Sequence, residues 1–285
     1  MNQEQKLTIR IDDPPYSPID EGRGETENMF DVARKHDAVL TLAIPMGRLE
    51  QWVHLQDAYL LLYEDGLLDP VCHGYFHEDF GGTGGKPGSW MTTERMRDWF
   101  GPGWKAVNLE EADETLRKCQ AFAASFFGTR AKMFVPPGFR EPSDRAAFDK
   151  MLVDNGFESI SNLSVMDPLC AAFGRREDLA EVPFTIWIDL YQRLLNSSMR
   201  YIPWTSTTMD DYVDATQEHI RFRFERGLYV SILTHTIGFL NHPHELFEYH
   251  GDNTAGQYLD RVLTWTRSQY PDAQFVGMDD LVSRE

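Results

Sequence analysis

Residues 7–15 read LTIRIDDPP. Leu7–Asp12 is a short β-rich run, and Pro14–Pro15 stop it, because proline cannot donate to a sheet ladder. The stop leaves two adjacent carboxylates, Asp12 and Asp13, at the end of a strand. Working outward, Ala38–Ile44 (AVLTLAI) is a second strand candidate, stopped by Pro45. Leu49–Glu64 has helical spacing, with Trp52, Leu55, Tyr59 and Leu62 on one stripe and Gly66 as its stop. A short strand follows around Val71–Gly74. Asn108 is an N-cap candidate, with Glu110, Glu111 and Asp113 in the first turns of a helix that runs to about Phe127.

The alternation continues. Ala131–Val135 is strand-like and ends at Pro136–Pro137, and Asp144–Asn155 is helical. Phe157–Ser161 and Phe184–Leu190 are strand candidates. Asp210–Arg226 is helical, Leu228–Thr234 (LYVSILT) is a clear strand, and Ala255–Tyr270 is a long helix. Ala273–Val276 is a last strand and Met278–Val282 a short tail helix. Strand and helix alternating about seven times predict an α/β chain with a parallel sheet, nearer a distorted (β/α) barrel of about seven strands than a small open sheet. The 285 residues carry no repeat and are read as one domain, 1–285, with a Gly- and Trp-rich loop insertion at about 79–106.

Composition narrows the function classes. Hydrophobic residues make up 42% and charged residues 25%, as in an ordinary folded protein. A formal charge of −18 argues against nucleic acid and anionic membranes as partners. No apolar run approaches the ~20 residues of a membrane span. The opening MNQEQKLTIR lacks a signal-peptide apolar region, which sets a cytoplasmic expectation. Cys72, Cys119 and Cys170 make no disulfide framework and read as free core thiols.

In α/β folds chemistry gathers where strands end. That rule selects Asp12–Asp13, His73-Gly-Tyr-Phe-His77, Pro136-Pro137-Gly138 and His235. Taken singly, each has a bland reading. An Asp pair before prolines is usually a turn, a lone HxxxH pair is usually incidental, and a histidine in an apolar strand is usually core. An HxxxH pair on one helical turn would place both rings on one face. Together, two carboxylates and three imidazoles at one end of a sheet suit a divalent ion and acid–base work.

The segments IRIDD (Ile9–Asp13), HGYFH (His73–His77), FVPPG (Phe134–Gly138) and SILTH (Ser231–His235) resemble the polysaccharide deacetylases with the NodB homology domain, carbohydrate esterase family 4, in a divergent form. The resemblance covers residues 7–240. It implies Asp12 as general base, Asp13, His73 and His77 as ligands of one divalent metal, and His235 as general acid. Zn²⁺ suits those donors, and Fe²⁺, Co²⁺, Ni²⁺ or Mn²⁺ can take the same set. Three protein ligands leave a position for water, whose pKa the metal lowers towards ~7. The reaction implied is hydrolysis of an N-acetyl group on a sugar or glycan precursor, with a backbone N–H near Gly138 or Phe139 assisting the oxyanion. Pro137, Gly138, Phe139 and Arg140, with Trp90 from the Gly/Trp-rich loop, are the substrate-side candidates.

Two departures from the family pattern stand out. Many members carry an arginine before the Pro-Pro motif that orients the base; here that position is Val135, and Arg140 or Arg10 could replace it. The family's Asp-Trp motif has only a loose counterpart in FTIWIDLY (Phe184–Tyr191), with Trp187 and Asp189. His242, in the NHPHE segment, rivals His235 as acid. The alternatives are a catalytically impaired, metal-containing carbohydrate-binding protein, and a deformylase or ureide amidohydrolase using the same site. The oligomeric state is left open.

Overall fold

The computed structural model describes residues 4–15, 23–81, 94, 97, 103–162, 174–176, 179–187, 206–241 and 253–282. Among the described residues, ten strands form one sheet: β1 (Lys6–Asp12), β2 (Leu40–Ile44), β3 (Leu68–Cys72), β4 (Met133–Phe134), β5 (Ser159–Ile160), β6 (Gly174–Arg176), β7 (Leu179–Glu181), β8 (Ile186–Trp187), β9 (Val230–His235) and β10 (Gln274–Phe275). Their order is β6-β7-β5-β4-β3-β2-β1-β9-β8, with β10 beside the start of β1. Every pairing is parallel except β6–β7. The parallel barrel-type sheet expected from the alternation is therefore present, curled into a half-barrel.

Eight helices are described: α1 (Arg23–His36), α2 (Met46–Gln51), α3 (Val53–Glu64), α4 (Leu109–Phe126), α5 (Arg145–Asp154), α6 (Ser206–Phe224), α7 (Thr254–Gln269) and α8 (Asp279–Val282). Asn108 does cap α4. Its side chain accepts from Glu111 N and the Glu111 carboxylate returns to Asn108 N, a reciprocal capping box. The helix expected over Leu49–Glu64 is in fact two. Trp52 (φ −94°, ψ 64°) breaks it, and α2 starts earlier, at Met46. Its start is fixed by the loop after β3, since Met46 and Gly47 donate their N–H to the carbonyls of Gly74 and Tyr75. Helix α1 and the β6–β7 ribbon have no counterpart among the sequence expectations. The former buries only Met29, Phe30, Val32 and Ala33 as apolar residues, and the strands of the latter are three residues each. Asp79 pairs with Ala106, which pins together the two ends of the expected 79–106 insertion.

Two apolar clusters follow from the period of two along each strand. Leu7, Ile9 and Ile11 of β1, with Leu40, Leu42 and Ile44 of β2, join the large core beneath the helices. Their alternates face the other way. There Ala43, Val71, Met133, Val135, Val182 and Met278 form a separate small cluster on the concave face. On β1 the concave positions are Thr8, Arg10 and Asp12, all buried.

The N-terminal end of the strands is closed by the chain around Met278. Met278 N donates to Thr41 Oγ1 (2.9 Å), Thr41 Oγ1 donates to Asp69 Oδ2 (2.8 Å), and Asp279 N donates to the same oxygen (3.3 Å). A Cβ at Gly277 would lie 2.7 Å from Asp69 Oδ2, so the segment fits only as glycine. Burial and the neighbouring Asp69 push the Asp279 carboxyl up to about 8, and burial raises Asp69 as well. The folded chain thus binds more protons here than the unfolded chain between the ordinary carboxylate range and pH 8, and stability falls as pH rises through that window. The Asp279→Asn protein is expected to melt about 2–4 °C above the wild type at pH 9 and at the same temperature at pH 4, read by thermal denaturation.

Candidate active site

Asp12 is the last residue of β1 and Asp13 the first beyond it. Asp13 has φ 75°, which turns its carboxylate out of the strand's alternation, while its N–H still donates to Ala43 O (3.1 Å). Its Oδ1 lies 3.1 Å from Nε2 of His73 and 3.1 Å from Nε2 of His77. One donor atom from each of the three lies within 4.8 Å of the others, the only such cluster among the described residues.

The two histidines are not on a helix. His73 follows β3, and His73 N continues the ladder to Ile44 O. The chain then turns through Gly74 at φ +77°, where a Cβ would lie 2.7 Å from Glu78 Oε2, and His77 takes φ 58°. The buried Glu78 carboxylate accepts from Tyr75 N (2.8 Å) and Phe76 N (3.0 Å), holding this turn closed. The rings meet edge-to-face at 4.8 Å. The expectation of one helical turn is corrected: the spacing works because a tight turn, not a helix, brings the rings together.

The charge states suit a cation. His73 Nδ1 is 2.8 Å from Val135 O, which can only accept, so Nδ1 carries a hydrogen and Nε2 is the ring nitrogen turned to Asp13 Oδ1. Burial alone would raise the Asp13 carboxyl, but the His77 and His73 imidazoles more than offset it and hold the group well below 3.8. Burial pulls His77 below 6.5 against the pull of Asp13. An ionised carboxylate beside a neutral imidazole is the form that binds a metal. One carboxylate oxygen and two imidazole nitrogens, already converging, fit a divalent ion of the zinc type.

Asp12 is held apart from that cluster. Arg10 Nε donates to its Oδ1 (2.7 Å) and Nη2 to its Oδ2 (2.6 Å), a bidentate fork with both residues buried. Arg10 Nη1 donates to Ser161 O (3.0 Å) and Oγ (2.9 Å). Phe139 and Phe184 place their rings 5.5 and 5.6 Å from the guanidinium carbon. His235 ends β9 in register with Asp12, so the two project to the same face. Thr236 Oγ1 donates to Asp12 O (3.0 Å), tying the two strand ends together.

No family model matches the sequence, and no curated protein does. Solved structures do match. A protein of Mycobacterium smegmatis, provisionally named a polysaccharide deacetylase, aligns at TM-score 0.65 and 12% identity, over 99% of this chain and 90% of that one. The fold is that of the polysaccharide deacetylases. The Bc1960 peptidoglycan N-acetylglucosamine deacetylase aligns at TM-score 0.55 and 12% identity, over 100% and 91% of the two chains. A Bacillus anthracis protein described as a family 4 pseudoenzyme aligns at 0.52 and 10%, over 99% and 67%.

Of the two arginines considered in place of Val135, one contacts Asp12. Arg10 rather than Arg140 reaches Asp12, and Arg140 instead donates to Asp79 Oδ2 (3.2 Å). Pro137–Phe139 form a 3₁₀ turn. Phe139 N–H donates to Pro136 O (3.0 Å), which leaves Gly138 N–H as the candidate oxyanion donor. Trp90, His242 and Asp189 lie outside the described residues. Sequence reasoning did not single out Ser161, Glu78 or the Val135 carbonyl. Only Glu78 left a trace, an acid directly after the histidine pair. Loss of Glu78 strands two backbone N–H groups in a buried turn, at about 1–3 kcal/mol each. Glu78→Ala is expected to lower the melting temperature and weaken Zn²⁺ binding at least tenfold in calorimetric titration; unchanged affinity would separate the turn from the site.

Proposed function

We propose that this chain is a metal-dependent hydrolase that removes an N-acetyl group from a sugar or glycan precursor. The observation that carries the reading is the division of labour between adjacent carboxylates. Asp13 converges with His73 and His77 on one point, while Asp12 is clamped by Arg10 and kept from joining them. A divalent ion held by Asp13, His73 and His77, with zinc the first choice for these donors, supplies Lewis acidity and makes water a nucleophile near neutral pH.

The rest is the work of this chain's own residues. Asp12 takes the proton of the attacking water. The Arg10 fork leaves Asp12 unable to swing towards the histidines, so the base keeps one orientation. Gly138 N–H donates to the oxygen on which negative charge develops. His235, beside Asp12 in the sheet, gives the leaving amine its proton, without which the amine leaves poorly. Phe139 and Arg140, on the loop after β4, border the substrate side. We read residues 1–285 as one domain of this type, acting on a cytoplasmic sugar intermediate.

A binding protein without turnover draws its support from Val135, where many family members carry an arginine, and from the loose Asp-Trp counterpart. The Arg10 fork weighs against the first, and Asp189 lies outside the described residues. The test has two arms. Elemental analysis of the wild type is expected to give near-stoichiometric metal, lost in the His73→Ala, His77→Ala double variant. Asp12→Asn is expected to keep its metal while acetate release from N-acetyl sugars falls by about 10²–10⁴-fold. Breaking the buried pair costs about 3–5 kcal/mol, so circular dichroism must show Asp12→Asn folded at the assay temperature. Retained turnover in a folded Asp12→Asn protein would remove Asp12 as base.

A further inference from the structure

Arg10 uses four of its five N–H donors on two partners: Nε and one Nη2 hydrogen on Asp12, and both Nη1 hydrogens on Ser161. Those bonds join opposite sides of the concave face, because Arg10 lies on β1 and Ser161 follows β5, with three strands between them in the sheet. Ser161 is fully buried. Its hydroxyl carries one hydrogen, and that hydrogen goes to Val182 O (2.5 Å). The oxygen therefore meets Arg10 with a lone pair, at 2.9 Å. Among the described residues Asp12 is the only carboxylate hydrogen-bonded to Arg10, so Ser161 holds the guanidinium without competing for its charge.

We propose that Ser161 is a positioning residue: its hydroxyl, polarised by the Val182 carbonyl, fixes the plane of the Arg10 guanidinium and through it the direction in which Asp12 presents its carboxylate. The Phe139 and Phe184 rings limit tilting of that plane, but a ring face gives no direction within the plane. Only the two Ser161 acceptors resist in-plane rotation from the side opposite Asp12. The main-chain acceptor survives any substitution, while the hydroxyl does not. The proposal rests on the reading of Asp12 as base, yet the clamp itself can be observed without turnover.

The experiment uses the full chain, metal-loaded and labelled with ¹⁵N-arginine, as wild type, Ser161→Ala, Ser161→Cys and Ser161→Thr. Alanine removes the acceptor, cysteine keeps a weak donor for Val182 but a poor acceptor for Arg10, and threonine keeps both. In the wild type the Arg10 Nη1 and Nη2 hydrogens are expected as separate resonances, because rotation of the group is blocked. In Ser161→Ala and Ser161→Cys they are expected to merge, and kcat for acetate release to fall roughly tenfold with KM and metal content unchanged. Ser161→Thr is expected to keep both the separate resonances and the turnover. Separate resonances with kcat within twofold of wild type in the alanine or cysteine variant would overturn the proposal. So would a threonine variant that loses as much as alanine, since packing rather than the hydroxyl would then be at work. A wild type that releases no acetate would defeat the proposed function instead, and the resonances would still decide whether Ser161 holds Arg10.

Discussion

A guanidinium and a carboxylate, two residues apart on one strand and both buried, form the constraint around which this site is arranged. Burying both charges is costly, and the mutual attraction offsets that cost only when the geometry is good and the remaining donors find partners. The fork between Arg10 and Asp12 meets the first condition, and Ser161 meets the second. Meeting both requires the end of β1, the end of β5 and the loop carrying Phe139 to arrive at one place. The curl of the sheet is what brings them there. A flat sheet in the same strand order would leave three strands between Ser161 and Arg10 and put them out of reach.

The same pair explains why neighbouring carboxylates do different work. A strand's alternation would point Asp12 and Asp13 to opposite faces. Asp12 follows that rule and lies on the concave face with Arg10. Asp13 escapes it through a positive φ, and its carboxylate meets the two histidines. Had Asp13 stayed extended, it would have faced the helix-side core with Ile9 and Ile11, where a carboxylate has no partner. Backbone strain at one residue is thus the local cost of turning two adjacent carboxylates to different partners.

Much of this was legible in the sequence, for identifiable reasons. The strand Leu7–Asp12 is buried on both faces and stopped by prolines, so its limits were plain. The histidine pair was legible from residue type and spacing, but through the wrong geometry. Spacing alone does not distinguish a helical turn from a loop closed by a glycine in left-handed conformation and a buried glutamate. The choice between Arg10 and Arg140 stayed open because the deciding contact is tertiary. Arg140 is drawn off by Asp79, a residue 61 positions earlier in the chain. Ser161 could not be found at all from the sequence, since its partner lies 151 residues away. The β6–β7 ribbon is too short to show a period.

The valine at position 135 and the clamp from Arg10 are two sides of one packing arrangement. Val135 is fully buried in the concave cluster with Val71, Met133 and Val182, while its carbonyl orients His73. The position still serves the site, but through its backbone, which any residue supplies. Its side chain extends the apolar layer of the concave face. Supplying the guanidinium from β1 places it on the same strand as the carboxylate it holds, two residues away. The relative position of carboxylate and clamp then depends on one strand's geometry rather than on the docking of two.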